Sequence, residues 1–116
     1  MQRQGIDRIF RRSGEPIKVE YKTDTKTAKT GNLFIETDNK GIHTKAGWLL
    51  ASQAEIVVFY LPGLEKIVIF RLEEARSRLI EWQAKYSRKS IRNQGWTTYG
   101  YHVPLTEFTF AKIYQL

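Results

Sequence analysis

Apolar and polar residues alternate along the first third of the chain, a pattern that predicts β-strands. The predicted strands span residues 5–12, 17–24 and 32–37. Gly and Pro residues within 12–16 separate the first two strands, and the polar residues 38–41 are predicted to form the turn that ends the third. The pattern therefore favours a β-meander at the start of the chain.

The middle of the chain is predicted to contain one short helix and two further strands. Residues 44–52 suit a helix, and Thr44 could serve as its N-cap. Residues 54–61 form a nearly continuous apolar run, which is typical of a strand covered on both faces. A turn at Pro62 leads into a strand over residues 66–72, which are rich in Ile, Val and Phe.

A longer helix is predicted over residues 73–89, with acidic residues at its start and basic residues at its end, as the helix dipole favours. One apolar stripe recurs at three- and four-residue spacing: Leu72, Ala75, Leu79, Trp82 and Tyr86. A polar link over 90–95 precedes a strand over 97–103, and the C-terminal segment suits either a short helix or a strand. The whole chain, 1–116, is predicted to form a single α/β domain.

Composition limits the function classes. The chain has 116 residues, 41% of them hydrophobic, which fits a globular protein. It has no cysteine, which excludes disulfides and thiolate metal sites. No apolar run approaches the roughly 20 residues that span a bilayer, and the N-terminus lacks the apolar segment of a signal peptide. We therefore expect no membrane partner and a cytoplasmic location.

The net charge of +7 indicates polyanionic partners, because each phosphate contact releases condensed counterions. The alternative is a basic protein that its charge keeps soluble. Neither histidine, His43 or His102, has a spacing that suggests a zinc site, and a lone histidine is more often structural or exposed.

The candidate chemistry lies on the second predicted strand, where Glu20 and Lys22 point to the same face. Asp7, one hairpin upstream, can come beside Glu20 and complete a site of two carboxylates and one lysine. Carboxylates bind Mg²⁺, a main-chain carbonyl near Tyr21 could add a ligand, and a protonated lysine can only position the water. The alternative is a solvated strand face that carries alternating charges.

Three segments resemble the PD-(D/E)xK nuclease superfamily, whose restriction-endonuclease-like fold is shared with Holliday-junction resolvases. They are Gly5–Ile9, Ile17–Asp24 and Thr30–Glu36, and the resemblance extends over about residues 5 to 72. It implies a mixed β-sheet flanked by helices. Such folds usually place a helix before the first strand, and here only six residues precede Asp7, so we expect that N-terminal helix to be absent.

The resemblance also implies roles for individual residues. Asp7 and Glu20 would bind Mg²⁺ or Mn²⁺, and Lys22 would assist the attacking water. Lys45 and Gln53 are weaker candidates for auxiliary roles, because some members carry such residues on a later helix.

Basic residues elsewhere are candidates for phosphate contacts. Lys26 and Lys29 flank a Thr-rich loop that could grip phosphate or could be an ordinary polar loop. A second cluster of basic residues precedes three aromatic residues. This combination suits nucleic-acid binding, but it also fits a solvated helix end that is followed by aromatic residues of the core. The complete set of candidates for nucleic-acid contact is Lys26, Lys29, Lys45, Arg88, Lys89 and Arg92.

These observations together favour a Mg²⁺-dependent endonuclease that acts on double-stranded, branched or damaged DNA as a homodimer. An inactive nucleic-acid-binding protein with the same fold is the alternative, and a basic domain that docks on an acidic protein is the third. The sequence does not separate DNA from RNA.

Overall fold

The computed structural model describes the backbone of residues 8–12, 15–41 and 45–116, and the side chains of residues 16–41 and 45–116. The strands and helices in chain order are β1 (Arg8–Arg12), β2 (Glu15–Thr23), α1 (Thr27–Thr30), β3 (Asn32–Lys40), β4 (Lys45–Ala46), α2 (Trp48–Ala51), β5 (Ile56–Leu61), β6 (Lys66–Arg71), α3 (Leu72–Ser77), α4 (Leu79–Lys85), β7 (Lys89–Arg92), β8 (Thr97–Pro104), a 3-10 turn (Leu105–Glu107) and β9 (Lys112–Gln115).

The described strands form two sheets. The first is five-stranded, in the order β1-β2-β5-β6-β9, and the second is four-stranded, in the order β4-β3-β8-β7. The first sheet is mixed, since β2 and β5 run parallel while its other neighbours run antiparallel. The α/β class with a mixed sheet is therefore confirmed. The predicted meander is wrong, because β3 pairs with β4 and β8 in the second sheet and not with β2.

The hydrophobic core joins the two sheets. Its buried side chains come from both sheets and from the helices beside them: Leu33, Ile35, Trp48, Leu49, Val57, Phe59, Leu61, Val68, Phe70, Leu72, Ala75, Trp82, Tyr101, Val103 and Phe108. Burial alternates along β5, so this strand is fully covered on one face and half-buried on the other, not covered on both as its apolar run predicted. One face of each sheet therefore points into the core.

The third strand is longer than predicted. Residues 38–41 were expected to form a turn, but β3 continues to Lys40 through a register shift between Glu36 and Asp38. Pairing of this extension with Tyr99 and its neighbours in β8 supplies main-chain hydrogen bonds, which outweigh the local turn preference of the sequence.

Both predicted helices are shorter in the structure. Over 44–52, helix α2 begins only after Gly47, because Lys45 and Ala46 pair with β3 as the short strand β4; Thr44 lies outside the described residues. The predicted helix over 73–89 is interrupted at Arg78 and ends at Lys85.

The apolar stripe predicted for that long helix is confirmed across the break. Leu72, Ala75 and Trp82 are buried, and Leu79 and Tyr86 are half-buried against the core. After the helix, the first half of the predicted polar link, residues 90–92, belongs to strand β7, which pairs with β8. The C-terminal segment contains both the 3-10 turn and strand β9, so each of the two predicted alternatives applies to part of it.

Candidate active site

The parallel register of β2 with β5 decides which face of β2 carries Glu20 and Lys22. Glu20 lies opposite Val57, and Lys22 lies opposite Phe59. Because Val57 and Phe59 point into the core, the two charged side chains lie on the inner face of the first sheet. The Glu20 side chain is fully buried, with a relative exposure of 0%. The alternative of a solvated, alternately charged strand face is therefore wrong.

Glu20 and Lys22 form an ion pair inside the protein. The Nζ atom of Lys22 lies 3.4 Å from Oε2 of Glu20, and 21% of the Lys22 side chain is exposed. The same ammonium lies 5.9 Å from the ring centroid of Trp48, which is within the range of a cation–π contact. Trp48 is itself in the core. The carboxylate is thus buried, while the ammonium reaches toward solvent.

Lys22 lines a cleft of about 250 Å³, which we call the Lys22 cleft. The cleft lies between the end of β2 and the face of the second sheet that points away from the core. Its lining residues are Lys22, Thr23, Asp24, Phe34, Glu36, Trp48, Phe59, Ile91, Asn93 and Thr98. Charged, polar and aromatic side chains from six segments thus converge beside the buried ion pair.

Glu36 places a second carboxylate in the Lys22 cleft. Its Oε2 accepts a hydrogen bond of 3.3 Å from the main-chain N–H of Trp48. The chain approaches it closely at Gly47, where a Cβ atom would lie 2.6 Å from Cγ of Glu36. Glu36 was not predicted as a site residue from the sequence. The alternation of β3, which buries Leu33 and Ile35 and turns Glu36 to the opposite face, was the signal that could have found it.

The oxygen donors for a divalent cation are described only in part. Glu20 and Glu36 supply hard carboxylate ligands of the kind that Mg²⁺ prefers. Asp7 lies outside the described residues, and among the residues that are described no group of three or more His, Cys, Asp or Glu could hold a metal ion. Tyr21 turns its side chain to the outer face, so only its main-chain carbonyl remains a candidate ligand. A partial donor set that includes a buried carboxylate fits Mg²⁺ if Asp7 completes it.

Asp24 fixes the turn that follows β2. Its Oδ1 accepts hydrogen bonds from the main-chain N–H groups of Lys26 (3.0 Å) and Thr27 (3.2 Å). Its Oδ2 accepts a third, of 3.1 Å, from the main-chain N–H of Phe34 in β3. This one carboxylate therefore ties the end of β2 to the second sheet, and it was not identified from the sequence although Asp commonly caps turns in this way.

A second cleft of about 200 Å³ adjoins the first, and we call it the His102 cleft. Its lining residues are Thr23, Asp24, Thr25, Lys26, Asn32, Phe34, Ile91 and His102. The His102 ring lies 5.1 Å from the ring of Phe34. Burial lowers the pKa of His102 from its ordinary value, the charges of Lys89 and Lys26 lower it further, and Asp24 opposes them.

The predicted basic cluster divides into residues with different surroundings. The guanidinium of Arg88 lies 2.8 Å from Oδ2 of Asp38 and stacks 3.8 Å from the ring centroid of Tyr99, so it holds the second sheet together. Lys89 and Arg92 are both exposed on β7. Because they are three residues apart in the strand, their side chains point to opposite faces of the sheet.

The remaining predicted contacts are dispersed. Lys26 is exposed and lines the His102 cleft, and Lys29 is exposed in the last turn of α1. Lys45 is exposed on β4, and Gln53 is exposed after α2. The structure thus brings Lys26 to the His102 cleft, while Lys29, Lys45 and Gln53 do not line either of the two clefts.

Comparisons with models of protein families, with curated proteins and with solved structures found no match. In the part of the chain that the structure describes, no helix is long and apolar enough to cross a membrane. The longest described helix, α4, has seven residues.

Proposed function

We propose that the protein is a Mg²⁺-dependent endonuclease that hydrolyses DNA phosphodiester bonds in double-stranded, branched or damaged DNA. The observation that carries the proposal is the fully buried carboxylate of Glu20, 3.4 Å from the ammonium of Lys22 at the wall of the Lys22 cleft. A lysine that is paired on its inner side and open on its outer side suits a negatively charged substrate.

Stability does not account for this ion pair. Removing a charge from water costs several kcal/mol, and replacing a buried ion pair with apolar residues is often neutral or stabilises a protein by about 1–4 kcal/mol. Glu20 lies beside Val57 on the inner face of the sheet, where an apolar side chain would pack against the core. A chemical role is supported by the position of Lys22, which extends from the buried carboxylate into the Lys22 cleft.

Lys22 and the two residues that contact its ammonium have distinct tasks in the proposed reaction. Lys22 donates hydrogen bonds to the phosphate or to the attacking water and stabilises the negative charge that develops there. Glu20 fixes the position of the Lys22 ammonium from the buried side. Trp48 restricts the same ammonium from the other side through its ring and donates its main-chain N–H to Glu36.

The proposal includes a divalent cation, Mg²⁺ or Mn²⁺, held by Glu20 with Asp7 and the main-chain carbonyl of Tyr21. When bound, such a cation neutralises phosphate charge and activates water at neutral pH. This part of the proposal rests on the resemblance to PD-(D/E)xK nucleases and on the buried oxygens of Glu20.

The same proposal assigns DNA as the partner, a homodimer as the active form and the cytoplasm as the location. The net charge of +7 supports a polyanionic partner. A dimer follows from the chemistry, because cutting both strands of a duplex takes two sites.

A catalytically inactive nucleic-acid-binding protein with the same fold is the second candidate. The observation that favours it is the set of exposed lysines close to the clefts, such as Lys26 and Lys89, since binding needs only these charges. The two candidate functions predict different effects of replacing Asp7. A nuclease loses cleavage and keeps binding when Asp7→Ala is introduced, whereas a pure binding protein changes little.

The test uses supercoiled plasmid and a branched DNA junction, each with Mg²⁺, with Mn²⁺ and with EDTA. The proposal predicts metal-dependent cutting that Asp7→Ala abolishes. As a readout that does not require activity, Mn²⁺ should raise the melting temperature of the wild type and raise it less for Asp7→Ala, since a ligand stabilises the state that binds it. Salt-sensitive DNA binding with no cutting in either metal would favour the inactive binding protein.

A further inference from the structure

The Lys22 cleft and the His102 cleft form one continuous groove. They share four lining residues, namely Thr23, Asp24, Phe34 and Ile91. The groove begins at Lys22 and continues over the outward face of the second sheet, where Phe34 and His102 are cross-strand partners. A chain molecule that has one phosphate at Lys22 would therefore extend toward His102.

The far end of the groove carries converging positive charge. Lys26 lines it directly, and Lys89 shares its face of the sheet, because Lys89 pairs with Gly100 and Gly100 lies two residues before His102. Both ammonium groups act electrostatically on His102. Lys26 and His102 thus line the far end of the groove, and Lys89 lies on the same face of the second sheet.

The acidic group at this end is already engaged with the main chain. Asp24 is the one carboxylate among the described residues that line the His102 cleft, and its two oxygens accept hydrogen bonds from three main-chain N–H groups. Among the described residues, no carboxylate lies within ion-pair distance of Lys26 or Lys89. Arg88, one residue before Lys89, is instead paired with Asp38.

We infer that Lys26, Lys89 and His102 form a phosphate subsite that holds the nucleic-acid backbone beside the bond that Lys22 faces. The inference rests on the proposed function, because it takes the ligand to be nucleic acid. It adds the path of the DNA strand, which runs along the groove from Lys22, past Phe34 on the outward face of the second sheet, to Lys26 just before α1 and Lys89 in β7. Protonation of His102 strengthens the subsite, and a bound phosphate favours that protonation in return.

The test measures binding of a fluorescein-labelled DNA duplex in EDTA, over a series of salt concentrations. The variant Lys26→Ala/Lys89→Ala is compared with Lys66→Ala/Lys112→Ala, which removes two charges from strands β6 and β9, on the side of the first sheet remote from the groove. The inference predicts that Lys26→Ala/Lys89→Ala binds the duplex about tenfold more weakly than the wild type. It also predicts that the salt slope, the steepness with which the logarithm of the binding constant decreases with the logarithm of salt concentration, is smaller by about 1 to 2, since each lost phosphate contact reduces it by about 0.9. The control should keep the wild-type slope.

Two further experiments separate the effects of lysine charge and of His102 protonation from any damage to the structure. Lys26→Arg/Lys89→Arg keeps both charges and should restore the wild-type slope. Lowering the pH below 6.5, the ordinary pKa of histidine, should tighten wild-type binding by about threefold but leave His102→Asn unchanged. Asp24, Lys26 and Lys89 are unchanged in His102→Asn, so the difference reports on His102 itself.

The outcomes distinguish the subsite from the proposed function. If the wild type binds with a steep salt slope and the groove variant keeps that slope, the subsite is refuted while the proposed nuclease stands. If the wild type binds no DNA at any salt concentration, both are refuted. If the arginine variant fails to restore the slope although it melts like the wild type, the lysines do not act through their charge and the subsite is wrong.

Discussion

The ammonium of Lys22 lies 3.4 Å from Oε2 of Glu20, on the inner face of the first sheet, opposite Phe59 of a parallel strand. A carboxylate with no exposure is thereby held against a lysine that keeps 21% of its side chain accessible. The arrangement presents a positive charge to the Lys22 cleft from a rigid strand. Sites carried by strands hold their geometry better than sites on loops.

Asp24 is predicted to be a structural anchor of the groove. Replacing it with Ala leaves three main-chain N–H groups without their acceptor, at Lys26, Thr27 and Phe34. We expect Asp24→Ala to lower the free energy of unfolding by about 1–3 kcal/mol, measured by urea denaturation. Asp24→Asn keeps one acceptor oxygen and should cost less. Equal losses for the two variants would contradict the hydrogen-bond account.

Gly100 is predicted to tolerate no larger residue, because β8 passes close to β3 at this point. A Cβ atom at Gly100 would overlap the main-chain carbonyl oxygen of Ile35. We expect Gly100→Ala to lower the free energy of unfolding by about 1–3 kcal/mol, the range typical of overpacking. Ser90→Ala, at an exposed position on β7, is the control and should have little effect. A Gly100→Ala protein as stable as Ser90→Ala would show that the two strands do not approach in this way.

Arg88 and Lys89 are adjacent but should behave in opposite ways. Arg88 is paired with Asp38 and stacked on Tyr99, so Arg88→Ala should lower the free energy of unfolding by about 0.5–1 kcal/mol and leave the salt slope of DNA binding unchanged. Lys89→Ala should reduce that slope and leave the unfolding free energy unchanged. Urea denaturation measures the free energy of unfolding, and fluorescence anisotropy measures the salt slope of DNA binding on the same preparations. A reduced salt slope for Arg88→Ala together with a reduced unfolding free energy for Lys89→Ala would refute the assignment.

His102 should make stability depend on pH in a defined direction. Burial, with Lys89 and Lys26, holds the pKa of His102 below its ordinary value of 6.5, against the opposing effect of Asp24. The unfolded chain therefore binds more protons than the folded protein just below pH 6.5. The contribution of neutral His102 to the free energy of unfolding is therefore fully present above pH 6.5. It is lost as the pH falls from 6.5 to the lower pKa that His102 has in the folded protein.

The measurement is the free energy of unfolding across this range for the wild type and for His102→Phe, which keeps a ring against Phe34. As the pH falls, the free energy of unfolding of the wild type should decrease more than that of His102→Phe. The wild-type value minus the variant value should therefore become smaller or more negative. A constant difference across the range would mean that His102 titrates in the folded protein as it does in the unfolded chain.

Local pattern was sufficient for most elements and for the pairing of Glu20 with Lys22 on one face. It could not tell that the face of β2 with Glu20 is buried, because the apolar residues Ile17, Val19 and Tyr21 lie on the opposite face. The register with β5 places Glu20 beside the core residue Val57, while on the opposite face Val19 is also buried and Tyr21 is 39% exposed. Register depends on a strand more than thirty residues later in the chain, beyond the reach of alternation alone.

The second sheet and the groove could not be predicted for a related reason. Leu33 pairs with Val103, so the sheet depends on contacts between residues about 70 positions apart in the chain. Glu36, Asn93 and His102 reach the groove only through this pairing. The break at Arg78 also escaped prediction, because the apolar stripe continues in phase from α3 into α4.

The most direct test of the account is the initial rate of plasmid nicking by Glu20→Gln in Mn²⁺. This variant keeps the shape of the side chain and removes the negative charge that pairs with Lys22 and that is proposed to hold the divalent cation. Lys112→Ala, on the far edge strand of the first sheet, is the matched control. We predict a loss of about 100-fold or more for Glu20→Gln, the scale of one lost transition-state contact, with the control at the wild-type rate. Nicking by Glu20→Gln at the wild-type rate would contradict the assignment of this site.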